Sequence, residues 1–201
     1  MSEAIEQIVA QLRAAPKEEK LKMIANIRKN NPRDLVDILE MLEELENRDK
    51  RDLAQGGLLE FVKAVYPGYK VGAHHRRLAK LLEEAINGDK KRIIVNIAPR
   101  MGKSELVSYL FPAWFLGHHP DKKIIMATHT ADLSTNFGRR VRDLVNSDDY
   151  RNVFPDVSLN QDAKAAGQWN TSAGGQYYAA GVGGALAGRG RSEEHTSELQ
   201  S

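Results

Sequence analysis

The stretch that decides the fold is Ile93-Ile94-Val95-Asn96-Ile97-Ala98-Pro99-Arg100-Met101-Gly102-Lys103-Ser104-Glu105. Ile93 to Ile97 is a β-branched apolar run, which predicts a parallel strand buried on both faces. A short loop follows, then Gly102-Lys103-Ser104, then a helix carrying Leu106, Leu110 and Phe111. Strand, Gly-Lys-Ser and helix in that order are the setting that a phosphate-binding loop requires. Amide N–H groups at the start of a helix point at a polyanion, and the helix dipole favours its charge. Gly102 allows close backbone approach, Lys103 can reach the β- and γ-phosphates of ATP, and the Ser104 hydroxyl can complete the coordination of Mg²⁺. In the pattern G-x-x-x-x-G-K-[ST] the first glycine position holds Ile97, so the strict consensus is not met. A second apolar run, Lys123-Ile124-Ile125-Met126-Ala127-Thr128, begins about 30 residues after the first, the length of a βαβ crossover.

Upstream of the loop the pattern is helical. Ala73 to Ile86 predicts an amphipathic helix with Leu78, Leu81, Leu82 and Ile86 inward, ended by Asn87-Gly88. Leu58, Leu59, Phe61 and Val62 predict a shorter helix between Gly56-Gly57 and Pro67-Gly68. Residues 1–55 read as a self-contained helical region. Ile5, Ile8, Val9 and Leu12 form one stripe, and Pro16 with Glu18 and Glu19 opens a second helix burying Leu21, Ile24 and Ile27. Asn31-Pro32 opens a third helix with Leu35, Ile38, Leu39, Leu42 and Leu45. Such stripes make bundle cores or docking faces, not catalytic sites. The expected fold is therefore α/β: an incomplete P-loop NTPase-type parallel sheet with flanking helices over residues 56–190, preceded by a small helical N-terminal region over residues 1–55.

Composition narrows the class. A hydrophobic share of 41% with 28% charged residues fits a soluble globular chain and argues against wholesale disorder. No apolar run approaches the roughly 18–20 residues of a membrane span, and the most apolar stretch, Leu106 to Leu116, is broken by Pro112. Met1-Ser2-Glu3 has none of the features of a signal peptide. The absence of cysteine excludes disulfides, thiolate catalysis and cysteine-ligated zinc, and it fits a reducing cytoplasm. Residues 56–190 carry 18 Lys+Arg against 12 Asp+Glu, a mild basic bias that suits phosphate-rich partners. The last eleven residues, Arg191 to Ser201 (RSEEHTSELQS), lack apolar periodicity and read as the in-frame translation of a common sequencing adapter. On that reading residues 191–201 are a non-native tail, and the informative chain ends near Gly190.

The loop Ala98 to Glu105 resembles the deviant nucleotide-binding loop of the bacteriophage terminase large subunit, the ATPase of the DNA-packaging motor. Flanking pieces agree in order and spacing. Gly72-Ala73-His74-His75-Arg76-Arg77-Leu78 is similar to that family's helix before the nucleotide site. Ala127 to Ser134, running on to Phe137-Gly138-Arg139-Arg140-Val141-Arg142, resembles its second strand and following helix. Trp169 to Gly190, ending in Gly181-Val182-Gly183-Gly184-Ala185-Leu186-Ala187-Gly188-Arg189-Gly190, resembles its hairpin and glycine-rich loop. The resemblance covers roughly residues 56–190.

The resemblance implies contacts to ATP from Ala98, Pro99, Arg100, Met101, Gly102, Lys103, Ser104 and Glu105, and an adenine-side role for His74 or His75. It gives Lys103 and Arg100 catalytic roles, with Arg100 sensing or stabilising the γ-phosphate, and it makes Ser104 the ligand to Mg²⁺. It also implies double-stranded DNA as the object moved, the portal and the small terminase subunit as partners, a homo-oligomeric ring, and the host cytoplasm as location, with no membrane. In that family an apolar strand ending in paired acids comes next, followed by a nuclease domain, and neither is recognisable here. On this expectation the chain is an N-terminal fragment that binds nucleotide weakly and turns it over negligibly. Two other readings stay open: a superfamily 2-type helicase or other P-loop motor, and a non-catalytic DNA- or protein-binding module with residues 1–55 as its working part.

Smaller features have plainer readings. His74-His75 and His118-His119 are adjacent on helices, so their side chains point about 100° apart and are poorly placed to chelate one metal. Arg139, Arg140 and Arg142 suit either phosphate contacts or a solvated helix face. Trp169, Tyr177 and Tyr178 read as strand residues packing a core. Asp148-Asp149 follows Val145-Asn146-Ser147 and reads as a solvated helix end, not as the acidic pair of a strand.

Overall fold

The structure, a computed structural model, describes residues 3–160 and 165–181. The chain divides into two units, Met1–Asp52 and Leu53–Ser201. α1 (Glu3–Ala14), α2 (Lys17–Asn30) and α3 (Pro32–Gly56), of which all but the last turn of α3 make up the first unit, break at the two prolines. Proline fixes φ and lacks an N–H, so it is tolerated at a helix start and not within one. Glu18 and Glu19 in the first turn of α2, and Arg28 and Lys29 in its last, complement the helix dipole. Val9, Leu12 and Ile38 are buried, with Ile5, Ile8, Ile24, Ile27, Leu42 and Leu45 packed around them. Two expected core residues point outward instead: Leu21 is 61% exposed and Leu39 is 44% exposed. A unit this small buries a narrow seam, and α2 has no fully buried residue, so apolar positions at the stripe's edge stay in water.

The second unit contains α4 (Leu58–Val65), α5 (Ala73–Ile86), a π-helix (Glu105–Leu110) running directly into α6 (Phe111–His118), and β1 (Lys123–Thr128). After them come α7 (Ala131–Val145), α8 (Asp148–Val153), β2 (Gln168–Asn170) and β3 (Gln176–Gly181). The described sheet is mixed, in the order β1-β3-β2. β1 runs parallel to β3, from Lys123 opposite Gln176 to Thr128 opposite Gly181, and β2 is antiparallel to β3 with Trp169 opposite Tyr177. A parallel pair needs a crossover, and α7 within it packs against both β1 and β3. Trp169 and Tyr177 stack face to face (centroids 5.0 Å apart, planes within 2°), and Trp169 Nε1–H donates to the Gly138 carbonyl of α7 at 3.0 Å. Both rings are buried, which makes them core packing. The main core gathers Phe61, Leu78, Leu82, Leu106, Leu110 and Tyr150 from the surrounding helices.

The strand expected at Ile93–Ile97 does not form. The segment has no regular secondary structure and joins no ladder among the described residues. Val95 and Ile97 pack on the core, while Ile94 is 97% exposed, so the run is not buried on both faces. β-branched residues favour extended backbone, but a strand is made by a hydrogen-bonded neighbour, and this run has none here. A complete P-loop-type parallel sheet is accordingly not seen. The glycine-rich element beyond Gly181, including Arg189, and the tail 191–201 lie outside the described residues. No described helix is long and apolar enough to cross a membrane.

Candidate functional site

After Ile93–Ile97 the chain turns at Pro99-Arg100 and enters a helix at Lys103. Two residues of the turn are left-handed, Arg100 at φ 62° and Gly102 at φ 75°. For Gly102 this is free of strain, whereas an L-residue such as Arg100 meets a cost of roughly 1–2 kcal/mol there. The N–H of Leu106 donates to the Gly102 carbonyl at 3.0 Å and closes the first helical turn. The N–H groups of Gly102, Lys103, Ser104 and Glu105 find no acceptor among the described residues, as the open end of a helix requires. Lys103 is half-buried, Arg100 and Ser104 are exposed, and neither cation is paired with a described carboxylate. Ala98 and Pro99, just before and within the turn, are exposed.

Behind the turn stand both histidines of α5. His75 Nε2 lies 3.0 Å and His74 Nε2 lies 3.1 Å from the Met101 carbonyl oxygen, with 3.1 Å between the two nitrogens. Their ring centroids are 3.9 Å apart. The convergence arises because His75 occupies the third position of α5 and folds back, its Nδ1 accepting from the Gly72 N–H at 3.0 Å. The 100° divergence expected of neighbouring helical residues is thus overcome at the helix start. Burial, then the neighbouring His74, hold His75 below the usual imidazole pKa, against the Met101 contact, which raises it. A Cβ placed on Gly102 would stand 2.6 Å from His75 Nε2 and 3.4 Å from Tyr69 Oη, so glycine is needed for space as well as for φ. Tyr69, with its ring 5.2 Å from His75, has a buried hydroxyl without a partner, and burial raises its pKa.

On the helical side, Glu105 is gripped by Arg140 of α7 through both terminal guanidinium nitrogens, one contact at 3.1 Å. The same guanidinium lies 4.1 Å from the centroid of Tyr109. The hydrogen bond to Glu105 raises the Arg140 pKa above its usual value. Arg140 is therefore engaged in holding the post-loop helix to α7, while Arg142 reaches Asp143. The π-helix widens the turn just before Pro112, with the Phe111 N–H bonded to the Leu106 carbonyl. Proline has no N–H and its ring crowds the carbonyl four residues back, so the widening admits Pro112 without a break.

Tyr69 and the Glu105–Arg140 link are the parts that sequence reading missed. Tyr69 carries no motif, and Arg140 is 35 residues from its partner. His75 had one legible signal, a hydrogen-bonding side chain three residues after the glycine that precedes a helix. Elsewhere, His118 Nε2 contacts the Gln55 carbonyl at 3.0 Å, and no group of three or more metal-capable side chains occurs among the described residues. Asp148 and Asp149 lie in the first turn of α8, where Ser147 accepts from the Tyr150 N–H and the carboxylates face a positive helix end.

The phosphates of a nucleotide fit this turn on two observations: four amides without acceptors, and a glycine cradle closed from behind by His75 and Tyr69. For Mg²⁺ the described residues offer the Ser104 hydroxyl, which suits an ion held chiefly by phosphate oxygens and water. Comparison of the chain with family models, with curated proteins and with solved structures finds no match.

Proposed function

We propose that residues 98–105 bind the phosphates of Mg·ATP, and that the chain is the nucleotide-binding part of a DNA-packaging motor of the terminase large-subunit type. The observation that carries the first half is the turn itself: left-handed at Arg100 and Gly102, opening into a helix whose first N–H groups are unclaimed, with Lys103 at its first residue. In this reading Lys103 neutralises the β- and γ-phosphates, Ser104 gives an oxygen to Mg²⁺, and Arg100 meets charge developing on the transferred phosphoryl group. Ala98, Pro99 and Met101 shape the turn, and Glu105 holds the helix behind it through Arg140. The bound nucleotide supplies the phosphoryl group, and these residues bind and orient it. Glu105, the carboxylate that follows Ser104, is taken up by Arg140, and the resemblance puts the water-activating glutamate on an acidic strand not recognisable here, so binding with little turnover is expected.

The second half rests on the resemblance of the loop and its flanks. It assigns double-stranded DNA, a portal and a small terminase subunit as partners, a ring as the working assembly, and the host cytoplasm as the location. The test is calorimetric titration of the full chain with Mg·ATP. Lys103→Ala should weaken affinity at least about tenfold, the scale of one charge-assisted contact. Failure of the wild-type chain to bind at millimolar nucleotide, or binding indifferent to Lys103, overturns the reading.

A further inference from the structure

We propose that His75 is the positioning residue of the loop: by donating from Nε2 to the Met101 carbonyl it aims the Gly102 N–H into the phosphate seat. This rests on the phosphate-binding reading above. All described peptide bonds are trans, and in a planar trans peptide the C=O and the following N–H point in opposite directions. A Met101 carbonyl fixed on the histidine pair therefore sends the Gly102 N–H to the other side. His75 is itself fixed by Gly72, whose N–H donates to Nδ1. A ring nitrogen that accepts cannot carry the proton, so the neutral ring holds its hydrogen on Nε2, the form that can donate to Met101. His74, with its Nε2 3.1 Å from the same carbonyl, backs the arrangement as a second donor.

Protonation of His75 works against this brace, because a second hydrogen on Nδ1 confronts the Gly72 N–H. The titratable groups against it are His74 on α5 and Tyr69 before α5, and Tyr69 in turn feels Glu105 on the π-helix and Tyr66. The burial that keeps His75 neutral thus also keeps the loop shaped.

The test uses the ¹⁵N-labelled full chain and three variants. Long-range ¹H–¹⁵N spectra near neutral pH should show His75 with hydrogen on Nε2 and a bare Nδ1, and the opposite tautomer overturns the proposal. In Mg·ATP titrations His75→Ala should lose about tenfold in affinity. His75→Gln, whose amide nitrogen stands close to the place of Nε2, should recover to within about threefold, while His75→Asn, which replaces Nδ1 alone, should stay with the alanine variant. The Gly102 amide resonance should follow the same split. The wild-type affinity should also fall on acidification from about pH 7.5 to about 5.5 more steeply than that of His75→Gln. Equal losses in Gln and Asn, matched by equal losses in thermal stability, would make His75 a packing residue and overturn the proposal. If the wild-type chain binds no nucleotide, the phosphate reading fails separately, and the tautomer and the Gly102 resonance still decide whether His75 orients the peptide.

Discussion

Gly102→Ala is the substitution on which the loop geometry can be tested most sharply. The new methyl would stand 2.6 Å from His75 Nε2 and 3.3 Å from its Cε1, at a backbone φ of 75°. The left-handed conformation alone costs an alanine roughly 1–2 kcal/mol. The ring cannot swing aside freely, since it accepts from Gly72 at 3.0 Å and contacts Met101 at 3.0 Å. Breaking both bonds adds about 0.5–1.5 kcal/mol each, giving a total of about 2–5 kcal/mol if the loop keeps its shape. If the loop relaxes instead, stability falls less and Mg·ATP affinity falls more, on the order of thirtyfold for about 2 kcal/mol. Gly88→Ala is the internal control, because Gly88 also has a positive φ (84°) and a Cβ there would have nothing within 4 Å. It should cost only the conformational part, roughly 1–2 kcal/mol, and leave affinity alone. Urea unfolding combined with calorimetric titration separates the two. If Gly102→Ala behaves like Gly88→Ala in both measurements, the close approach of His75 to the loop is refuted.

Other expectations follow from single contacts. Ile94→Lys should change stability by no more than about 0.5 kcal/mol, as for an ordinary surface site, and a loss several times larger in urea unfolding would show that the run is covered in solution. Arg140→Ala should destabilise by about 1–2 kcal/mol because it removes a two-point carboxylate contact and a cation over Tyr109, whereas Arg151→Ala at an exposed i,i+3 pair with Asp148 should cost no more than about 0.5 kcal/mol. Gly138→Ala should destabilise by about 1–3 kcal/mol through overpacking, since its methyl would meet the Ala166 carbonyl at 2.5 Å and the Tyr177 ring at 3.1 Å. His75 and His118 are both held below the usual imidazole pKa, chiefly by burial, so the unfolded chain takes up protons first on acidification. Their contribution should be complete above about pH 6.5 and be lost as pH falls through the folded values, with a slope of at most about 1.4 kcal/mol per pH unit for each histidine. Urea midpoints that rise on acidification over that range would contradict the assignment.

Much of the architecture was legible because helices announce themselves locally. The spacing of Leu78, Leu82 and Ile86 and the prolines at 16 and 32 describe interactions within a few residues of chain. Ile93–Ile97 shows where that logic stops. Its β-branched residues favour a strand, but pairing depends on a neighbour contributed from elsewhere, and Ile94 at 97% exposure shows that one face of the run is uncovered as well. Leu21 and Leu39 fail for a related reason, since a stripe's width says which residues can be buried and the size of the unit decides how many are.

The loop presents the same division more sharply. Judged by its own residues it is a poor phosphate-binding loop, with Ile97 at the first glycine position and no glycine from Ala98 to Met101. Arg100 nevertheless sits in a left-handed conformation costing roughly 1–2 kcal/mol, and something must offset that cost. Two imidazoles on the Met101 carbonyl, at about 0.5–1.5 kcal/mol each, are of the right size, and both come from α5, more than twenty residues earlier in the chain. A glycine-poor loop can thus take the conformation that a glycine-rich loop reaches through its own freedom, provided that a neighbouring helix holds one carbonyl. The strain at Arg100 and the brace at His75 then stand or fall together: Arg100→Gly should make the loop less dependent on His75, so that His75→Ala costs measurably less stability in that background than in the wild-type chain. Equal costs in the two backgrounds would mean that the strain is relieved elsewhere.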